Sequence, residues 1–404
     1  MNEPAALPEI FLPVGFSFSS TSAGIKVSGR PDLALIECAS GANAAALFTK
    51  NRVVAAPLII DREALKKSRG KVRAVVVNSG NANCATGPQG LRACRAVCAE
   101  AARLLSVDPS QVFPSSTGII GVPLPDEKIV ARLPELVASR KNTEDAARDF
   151  ARTIMTTDTR PKVASKSLRT RHGAIRLLGI AKGSGMIHPN LATMLVYLLT
   201  DIHATPRELK ALLTQACDDT FNCISVDGDT STNDTVLLLA SGKSGLDLNS
   251  TKVQRVFSGE LREICQSLAE QIVSDGEGVQ HVIRLSLEGA KSRAEAMQVA
   301  RAIAYSPLCK TAWAGADPNW GRVLAAVGRS GINIDPAKVS IFVGEQKVCH
   351  RGQAFAFDEV TAHQYLSQPV CNIRVQLGRG KAKILFLTTD LTREYVSINA
   401  DYST

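Results

Sequence analysis

The 404-residue chain is 45% hydrophobic and 21% charged, which is typical of a globular protein large enough for two packed units. No apolar run approaches the roughly 20 residues of a membrane span, and the N-terminus lacks the pattern of a secretory signal, so we expect a cytoplasmic protein. The net charge is +9, but only 5% of the residues are aromatic and no nucleic-acid-binding motif is present, which argues against DNA or RNA as a partner.

The positive charge is concentrated in the N-terminal half. Residues 1–192 carry 26 lysines and arginines against 15 acidic residues, whereas residues 193–404 carry 21 against 23. Much of the excess lies in one basic cluster, formed by Arg160, Lys162, Lys166, Arg169, Arg171, Arg176 and Lys182. We interpret this cluster as a solvated face or as a surface that attracts anionic substrates.

Neither the cysteines nor the acidic residues predict a metal site. The ten cysteines are spread singly, without Cys-x-x-Cys or paired Cys/His spacing, and are expected to be buried and reduced. Asp227, Asp229 and Asp234 fall close together, as in a calcium loop, but the glutamate that would close such a loop is missing. We therefore expect no bound metal.

The N-terminal half alternates between predicted strands and helices. Apolar periodicity predicts strands within residues 24–55 and at Val75–Asn81 and Ile175–Ala181, and helices at Pro88–Leu105, Pro125–Ser139 and Thr143–Thr156. The loop predicted at Phe113–Gly121 has a composition suited to catalysis, because a hydroxyl at Thr117 and a bare N–H at Gly118 are the donors of an oxyanion hole. A capped turn ahead of the next helix explains the same residues.

The most informative stretch is Lys182–Leu195. It opens with a glycine-rich loop that carries one cation, continues through a proline, and reaches Thr193 ahead of the apolar residues 194–200, which predict a buried strand. If the peptide bond between Ala192 and Thr193 were cut, the new α-amine, with a pKa of about 7.7–8.0, would accept the proton of the Thr193 hydroxyl. A strand that simply begins after a Gly/Pro turn also explains this spacing.

The C-terminal half has its own series of elements. Thr205 and Glu208 have the spacing of a capping box, with proline at the first helical position. The pattern then predicts a helix to about residue 220, a strand at Val236–Ala240, a helix at Thr251–Val273, a strand at Val282–Leu287, a helix at Ser292–Tyr305 and strands at Val339–Val343, Ile373–Leu377 and Lys383–Leu387. Glu277, in a glycine-rich turn, has no local partner and can hold an ammonium group.

Several of these blocks resemble the ornithine acetyltransferases, also called glutamate N-acetyltransferases. Lys182–Leu195 resembles the self-cleavage site of that family, and Asp227–Asp234 matches its Asp-Gly-Asp-Thr-Ser-Thr-Asn-Asp block. Gly315–Arg322 and the closing residues 398–404 also match. The turn that carries Glu277 departs from the family, because this chain continues Val-Gln-His where Ala-Thr-Lys is expected, which leaves the details of that turn open.

The resemblance implies roles for individual residues. It implies cleavage between Ala192 and Thr193, with Thr193 as the nucleophile and with Thr117 and Gly118 as the oxyanion hole. The substrate-binding residues that it implies are Thr156, Lys182, Thr193, Glu277, Asn399 and Thr404. By this hypothesis Lys182 pairs with a substrate carboxylate and Glu277 with the distal ammonium of ornithine. The choice between Thr156 and Thr157 stays open, and Trp320 with Arg322 either shapes the pocket or only begins a helix.

The resemblance also implies a function and a fold. The function is transfer of the acetyl group from N2-acetyl-L-ornithine to L-glutamate through an acetyl-Thr193 intermediate, in arginine biosynthesis, without a metal or nicotinamide cofactor. Bifunctional members also accept acetyl-CoA, and the sequence leaves that co-substrate open. The implied fold is α/β, an αββα-type sandwich of two sheets between helix layers with a smaller C-terminal α/β region. The α fragment, 1–192, and the β fragment, 193–404, would associate as an α2β2 heterotetramer.

Two other functions fit the same kind of nucleophile. A self-cleaving aminopeptidase or amidase would pass the acyl group to water and would leave Glu277 without a role. A non-enzymatic relative would cleave itself and bind ligands but would form no acetyl adduct. All three readings predict small-molecule ligands, and none involves a nucleic acid or a membrane.

Overall fold

The computed structural model describes residues 9–170, 173–188 and 194–401. Ala192, Thr193 and Thr404, to which the sequence assigns functions, lie outside these residues. The described chain forms two β-sheets with helices packed on them. None of the helices in the described ranges is long and apolar enough to span a membrane.

The larger sheet has eight strands. They are β1 (Phe16–Thr21), β2 (Leu33–Phe48), β3 (Lys71–Asn81), β4 (Val112–Ile119), β5 (Lys162–Thr170), β6 (Gly173–Lys182), β7 (Leu195–Thr200) and β8 (Thr235–Ala240). Their order is β4-β3-β2-β8-β7-β6-β5, with β1 paired to β2. The β3–β4 and β7–β8 pairs are parallel. The C-terminal ends of β3 and β4 therefore lie side by side, as do the N-terminal ends of β7 and β8.

The smaller sheet has six strands, all from the C-terminal third of the chain. They are β9 (Val282–Ala290), β10 (Ser340–Val343), β11 (Gln346–His350), β12 (Gln353–Ala354), β13 (Val370–Gln376) and β14 (Ala382–Thr389). Their order is β12-β11-β10-β13-β9-β14. A parallel bridge between Ile224 and Leu387 connects this sheet to the segment that precedes β8.

The helices follow in chain order. They are α1 (Ala56–Lys67), α2 (Gly87–Leu105), α3 (Asp126–Ala138), α4 (Glu144–Thr153), α5 (Pro206–Asp219), α6 (Thr251–Ser274), α7 (Arg293–Ala304), α8 (Pro307–Ala314), α9 (Trp320–Gly328), α10 (Glu359–Leu366) and α11 (Arg393–Asp401). Helices α7, α8 and α9 pack against the smaller sheet around one hydrophobic cluster. This unit is the smaller C-terminal α/β region that the family resemblance implies.

Three further hydrophobic clusters show that the larger sheet forms two facing layers. One cluster lies between α2 and α3 and the β2–β4 half of the sheet, the second lies between the two halves, and the third lies between the β6–β8 half and helices α5 and α6. Side chains of one strand alternate between clusters, so that Leu35 belongs to the first and Ile36 to the second. The αββα sandwich is confirmed. Its two β-layers are halves of one sheet, because β2 bends at a bulge between Glu37 and Ala42 and contributes to both layers.

Most ends of the six predicted helices, α2 to α7, lie within one residue of the prediction, whereas α1, α8, α10 and α11 were not predicted. The capping box of Thr205 and Glu208 begins α5, as predicted. Helix α4 ends at Thr153, three residues earlier than predicted. The reason is that the backbone N–H of Thr156 donates to the Asp158 carboxylate at 3.0 Å, so a side-chain-stabilised turn replaces the last helical turn.

The prediction of a loop at Phe113–Gly121 is wrong. Residues 112–119 form β4, which pairs in parallel with β3. The hydroxyls of Ser115, Ser116 and Thr117 look like loop chemistry in the sequence, yet all three residues are buried. The Ser116 hydroxyl, for example, donates to the Asn78 side chain at 2.6 Å. The residues that follow β4 provide the turn ahead of α3.

The interpretation of the basic cluster as a solvated face is wrong for two of its members. Lys162 has no exposed side-chain surface and its ammonium lies 2.7 Å from Asp158 and 2.6 Å from Asp275. Lys182 is also buried. Lys166 does behave as a surface residue, with 45% of its side chain exposed. The buried lysines have carboxylate partners, which is the condition for burying a charge at tolerable cost.

Candidate active site

A cavity of about 240 Å³ lies where the ends of several elements of the larger sheet meet helix α11. It is lined by the end of β4, the turns after β3, α4 and β6, the segment before β8, and the turn after α6. The lining residues are Ala82, Thr117, Gly118, Ile120, Thr156, Thr157, Lys182, Gly185, Met186, Asp227, Asp229, Ser231, Thr232, Asn233, Glu277, Tyr395 and Asn399. Every described residue to which the resemblance gave a catalytic or substrate-binding role is among them.

Thr117 and Gly118 line the cavity from the C-terminal end of β4. The register pairs Gly80 with Gly118, and a bulge follows at Asn81. Gly118 has a φ of +131°, a conformation that side chains rarely adopt, and a Cβ atom there would overlap the backbone of Gly80 and Asn81. Glycine is therefore required, and the close approach of β3 and β4 leaves the end of β4 facing the cavity.

Lys182 is the last residue of β6 and the cation of the cavity wall. Its ammonium donates to the Thr156 hydroxyl at 2.9 Å and lies 3.5 Å from Asp158. The Asp158 carboxylate has shorter contacts elsewhere, because it accepts from the Gly183 N–H at 2.6 Å and from Lys162 at 2.7 Å. The charge of Lys182 is thus only partly compensated and is available to an anionic group of a ligand.

A buried chain of charges supports this lysine. Burial alone would raise the pKa of Asp158, but the ammonium groups of Lys182 and Lys162 and the hydrogen bonds to the carboxylate hold that pKa well below its usual value. Lys162 also contacts Asp275, which accepts the backbone N–H of Thr159 at 3.1 Å. The turn that carries Thr156 is therefore fixed at both of its ends by carboxylates.

Glu277 projects into the cavity from the turn after α6. Its backbone N–H donates to the Ser184 carbonyl at 3.0 Å, and its carboxylate accepts from the Asn399 amide at 2.9 Å. A Cβ atom on Gly185 would overlap that carboxylate, so glycine at this position lets the loop after β6 lie against Glu277. The departure at residues 279–281 leaves Glu277 facing the cavity.

Both threonines of the turn after α4 line the cavity. The Thr156 hydroxyl receives the hydrogen bond from Lys182, while the Thr157 hydroxyl lies 2.7 Å from the Ser184 hydroxyl. Thr156 is thus tied to the cation and Thr157 to the loop after β6. The prediction that Thr156 contacts substrate stays a prediction.

The residues on both sides of Thr193 are held by the Asp227–Asp234 block. Upstream, the Asp227 carboxylate accepts the backbone N–H groups of Met186 and Ile187 at 2.5 and 2.9 Å. Downstream, the Asp234 carboxylate accepts the N–H of Met194 at 3.0 Å. The block therefore forms a hydrogen-bonded network around the proposed cleavage segment instead of a calcium loop. Within the described residues no group of three or more His, Cys, Asp or Glu side chains is arranged to hold a metal ion.

Burial also changes the titration of two groups in and near this network. Burial raises the pKa of Asp227 to about 6, against the opposing effect of its backbone hydrogen bonds. Burial lowers the pKa of His188 to about 4, and its ring packs on Tyr305 at 4.6 Å between centroids. His188 is neutral at pH 7 and is not among the residues that line the cavity. It has the surroundings of a packed side chain.

Trp320 and Arg322, for which the sequence left two alternatives open, are not among the residues that line the cavity. Trp320 is the first residue of α9, and the Asn319 side chain caps that helix by accepting the N–H of Arg322 at 3.2 Å. The Arg322 guanidinium donates to the Leu308 carbonyl at 2.9 Å. The alternative, a packed helix start, accounts for this block.

Several lining residues have no role in the sequence analysis. Tyr395 is one of them. It lies on α11, a helix that the sequence pattern did not predict and that also carries Asn399, for which the resemblance does imply substrate binding. Burial and the nearby carboxylates of Asp227 and Glu277 raise the pKa of Tyr395. Asn233 belongs to a block that was singled out, but nothing in the sequence shows that its amide faces β4. Side chains that meet only through the tertiary fold leave no local signal.

The sequence matches one protein family over nearly its whole length. The chain matches the ArgJ family over residues 17–404. It is 42% identical to the arginine biosynthesis bifunctional protein ArgJ of Pseudomonas fluorescens, with 98% of each chain covered. It is 44% identical to the protein of the same name from Methylococcus capsulatus, with 96% of this chain and 95% of that protein covered.

Among solved structures, the crystal structure of the ArgJ protein of Bacillus halodurans is 37% identical, with a TM-score of 0.49, and covers 51% of this chain and 98% of that chain. The family assignment rests on the sequence, which matches from β1 to the last residue and is more than 40% identical to full-length relatives. The chain belongs to the ArgJ family.

Proposed function

We propose that this protein transfers the acetyl group of N2-acetyl-L-ornithine to L-glutamate in arginine biosynthesis, through an acetyl ester on Thr193. The observation that carries the proposal is the composition of one cavity in a member of the ArgJ family. Thr117 and Gly118 supply oxyanion donors, and Lys182 and Glu277 supply one charge of each sign. Such a cavity suits a zwitterionic amino acid that carries an acyl group.

The enzyme becomes active by cutting itself between Ala192 and Thr193. The Thr193 hydroxyl attacks the Ala192 carbonyl, the peptide bond breaks as an ester forms, and water hydrolyses that ester. The products are a carboxylate on Ala192 and a free α-amine on Thr193. The two fragments stay associated, since β7 pairs with β6 along its whole length and β8 pairs with β2.

In the first half-reaction the Thr193 α-amine removes the proton from the hydroxyl, and the oxygen attacks the acetyl carbonyl of acetylornithine. Thr117 and Gly118 stabilise the negative oxygen of the tetrahedral intermediate, and each such donor contributes about 3–4 kcal/mol in comparable sites. The intermediate collapses as the ammonium of Thr193 returns its proton to the departing amine. Ornithine leaves and the acetyl ester remains.

In the second half-reaction the amine of glutamate attacks the ester carbonyl through the same oxyanion site. The Thr193 oxygen is released with a proton and acetylglutamate leaves, so the kinetics are ping-pong. Acetyl-CoA serves as a second donor if the chain shares the bifunctional activity named for its relatives. The chemistry draws on side chains and the α-amine, and the proposal includes no metal.

Charge complementarity orients the substrates. Lys182 binds a substrate carboxylate, because its own carboxylate partner is 3.5 Å away and shared with other donors. Glu277 binds the distal ammonium of ornithine, and Asn399 holds the Glu277 carboxylate at 2.9 Å. Thr156 and Thr404 complete the binding set. The assembly that we propose is a cytoplasmic α2β2 heterotetramer of fragments 1–192 and 193–404.

Intact-mass spectrometry tests the proposal directly. Purified protein should give two masses, those of fragments 1–192 and 193–404. Acetylornithine should add an acetyl group to the fragment that begins at Thr193. Glutamate should remove this acetyl group and appear as acetylglutamate. Loss of the acetyl group to water at the same rate without glutamate would instead favour an amidase. Two fragments without any adduct would favour a non-enzymatic protein.

Glu277→Gln should selectively weaken the binding of acetylornithine. The substitution keeps an acceptor for Asn399 but removes the charge that faces the distal ammonium, so kcat/KM for acetylornithine should fall roughly 10–100-fold, mostly through KM. Steady-state assays with and without the distal amine of the donor measure this. A donor without that amine should react equally with both enzymes, and an equal loss for both donors would contradict the pairing.

A further inference from the structure

We propose that Asn233 and Asp234 are positioning residues that set the distance between the Thr193 nucleophile and the oxyanion donors Thr117 and Gly118. The inference rests on the proposed function, because it concerns the same nucleophile. It adds the component that connects the two halves of the catalytic apparatus, which come from segments far apart in the sequence.

The Asn233 side chain connects the block to β4. Its amide nitrogen donates to the Ser116 carbonyl at 2.9 Å and to the Ala82 carbonyl at 2.7 Å, and its amide oxygen accepts from the Thr232 hydroxyl at 2.6 Å. The Ser116 carbonyl belongs to the peptide group that leads directly into Thr117. One amide therefore fixes the strand that carries the oxyanion donors and the turn beside it.

Asp234 connects the same block to the nucleophile. Its carboxylate accepts the N–H of Met194 at 3.0 Å, and the next residue, Thr235, donates its N–H to the Met194 carbonyl at 3.1 Å. The Met194 nitrogen is bonded to the carbonyl carbon of Thr193. Both polar groups of Met194 are thus held from one side by adjacent residues.

These contacts form a short and stiff connection. From Thr117 it passes through the Ser116 carbonyl, the Asn233 amide, a single peptide bond to Asp234, and the Met194 nitrogen to Thr193. Both connecting side chains are at least 95% buried, so water does not replace either hydrogen bond easily. A cavity-lining asparagine could instead contact substrate, but the two donors of Asn233 and an acceptor position are already engaged by protein groups.

Asn233→Ala should therefore lower kcat about 100-fold, the order expected when reacting groups are misplaced by roughly 1 Å, while KM changes less than about threefold. Both half-reactions should slow, because both tetrahedral intermediates use the same donors. The rates should be measured per active site, counted from the acetyl groups bound in a single turnover. A loss of folded protein lowers that count without changing the rate per site.

Asn51→Ala is the matched control. The Asn51 amide donates to the Thr230 carbonyl at 3.0 Å, so its loss also removes an amide–carbonyl bond to the same block. The hydrogen bonds of Asn51 reach Thr49, Val53 and Thr230, none of them in β4 or at Met194, and Asn51 does not line the cavity. Its kcat per site should stay within about twofold of the wild type. An equal loss in both variants would overturn the proposal, because it would show general loosening of the block.

Two variants at Asp234 keep the test decisive if Asn233→Ala is insoluble. Asp234→Ala removes the acceptor for Met194 and should also lower kcat about 100-fold, whereas Asp234→Asn keeps an acceptor oxygen and should recover most of that loss. Wild-type kcat in Asp234→Ala or in folded Asn233→Ala would overturn the positioning role while leaving the proposed function intact. Absence of acetyl transfer in the wild type would contradict the proposed function itself.

Discussion

A Thr193→Ala variant should be isolated as one unbroken chain of 43.0 kDa that transfers no acetyl group. The alanine has no hydroxyl to attack the Ala192 carbonyl, so the peptide bond remains and no α-amine forms. It also has no oxygen to carry the acetyl ester. Loss of a nucleophile in comparable enzymes lowers kcat by roughly 10⁴–10⁶-fold. Denaturing gels, intact mass and acetylglutamate formation measure the three effects in one preparation.

Thr193→Ser is the matched control, since it restores a hydroxyl on the same atom and removes only a methyl group. It should cleave and transfer acetyl, more slowly than the wild type. Scission of Thr193→Ala at the same bond would remove Thr193 as the self-cutting group. An active Thr193→Ala enzyme, cut or uncut, would end the proposed mechanism.

Helices α2 to α7 were readable from the sequence because one segment contains the whole signal of each, although α1, α8 and α10 were missed. The capping box of α5 needs only Thr205 and Glu208, and the long helix α6 needs only its own apolar spacing. Strand β4 was missed because its hydroxyl residues suggest a loop in the sequence, whereas a partner such as Asn78 of β3, which bonds to Ser116, is visible only in the fold. Helix α11 was missed because no buried residue within it marks an apolar face.

The site was predicted mainly by family resemblance, since its residues meet only in the folded chain. No spacing rule connects Thr117 at the end of β4 with Glu277 after α6. The residues that hold the site in place were not identified even by that resemblance. Lys162 looked like a surface charge, because one of its two carboxylate partners, Asp275, lies 113 positions away in the sequence. A buried ion pair can be identified only when both partners are located.

The two halves of the chain, which differ in net charge, contribute side chains of opposite charge to the cavity. The N-terminal half, with its excess of basic residues, supplies Lys182 to the cavity wall. The C-terminal half supplies the carboxylates of Asp227, Asp229 and Glu277 to the same cavity. Charges of opposite sign from the two halves of the chain thus face one space. This arrangement gives the cavity the two signs that a zwitterionic ligand requires.

A Thr117→Val variant should lose about 10²–10³-fold in kcat with little change in KM. Valine has the shape and β-propensity of threonine, so β4 should keep its pairing with β3 while the hydroxyl donor disappears. The donor matters only when the carbonyl oxygen becomes negative, which places its effect in the transition state and not in substrate binding. Rapid-quench measurement of acetyl-Thr193 formation, and of its removal by glutamate, should show that both steps slow by a similar factor.

The control is Thr311→Val, which makes the same chemical change in α8, where the hydroxyl donates to the Pro307 carbonyl at 2.8 Å and does not reach the cavity. It should keep the kcat of the wild type. A Thr117→Val enzyme with normal kcat would show that the hydroxyl does not contact the oxyanion and would leave the Gly118 N–H to do so alone. A Gly118→Ala variant could not test the contribution of the Gly118 N–H, because the added Cβ would overlap the Gly80 backbone and displace β4 itself. Thr117 is therefore the position at which the oxyanion assignment can be decided without altering the sheet.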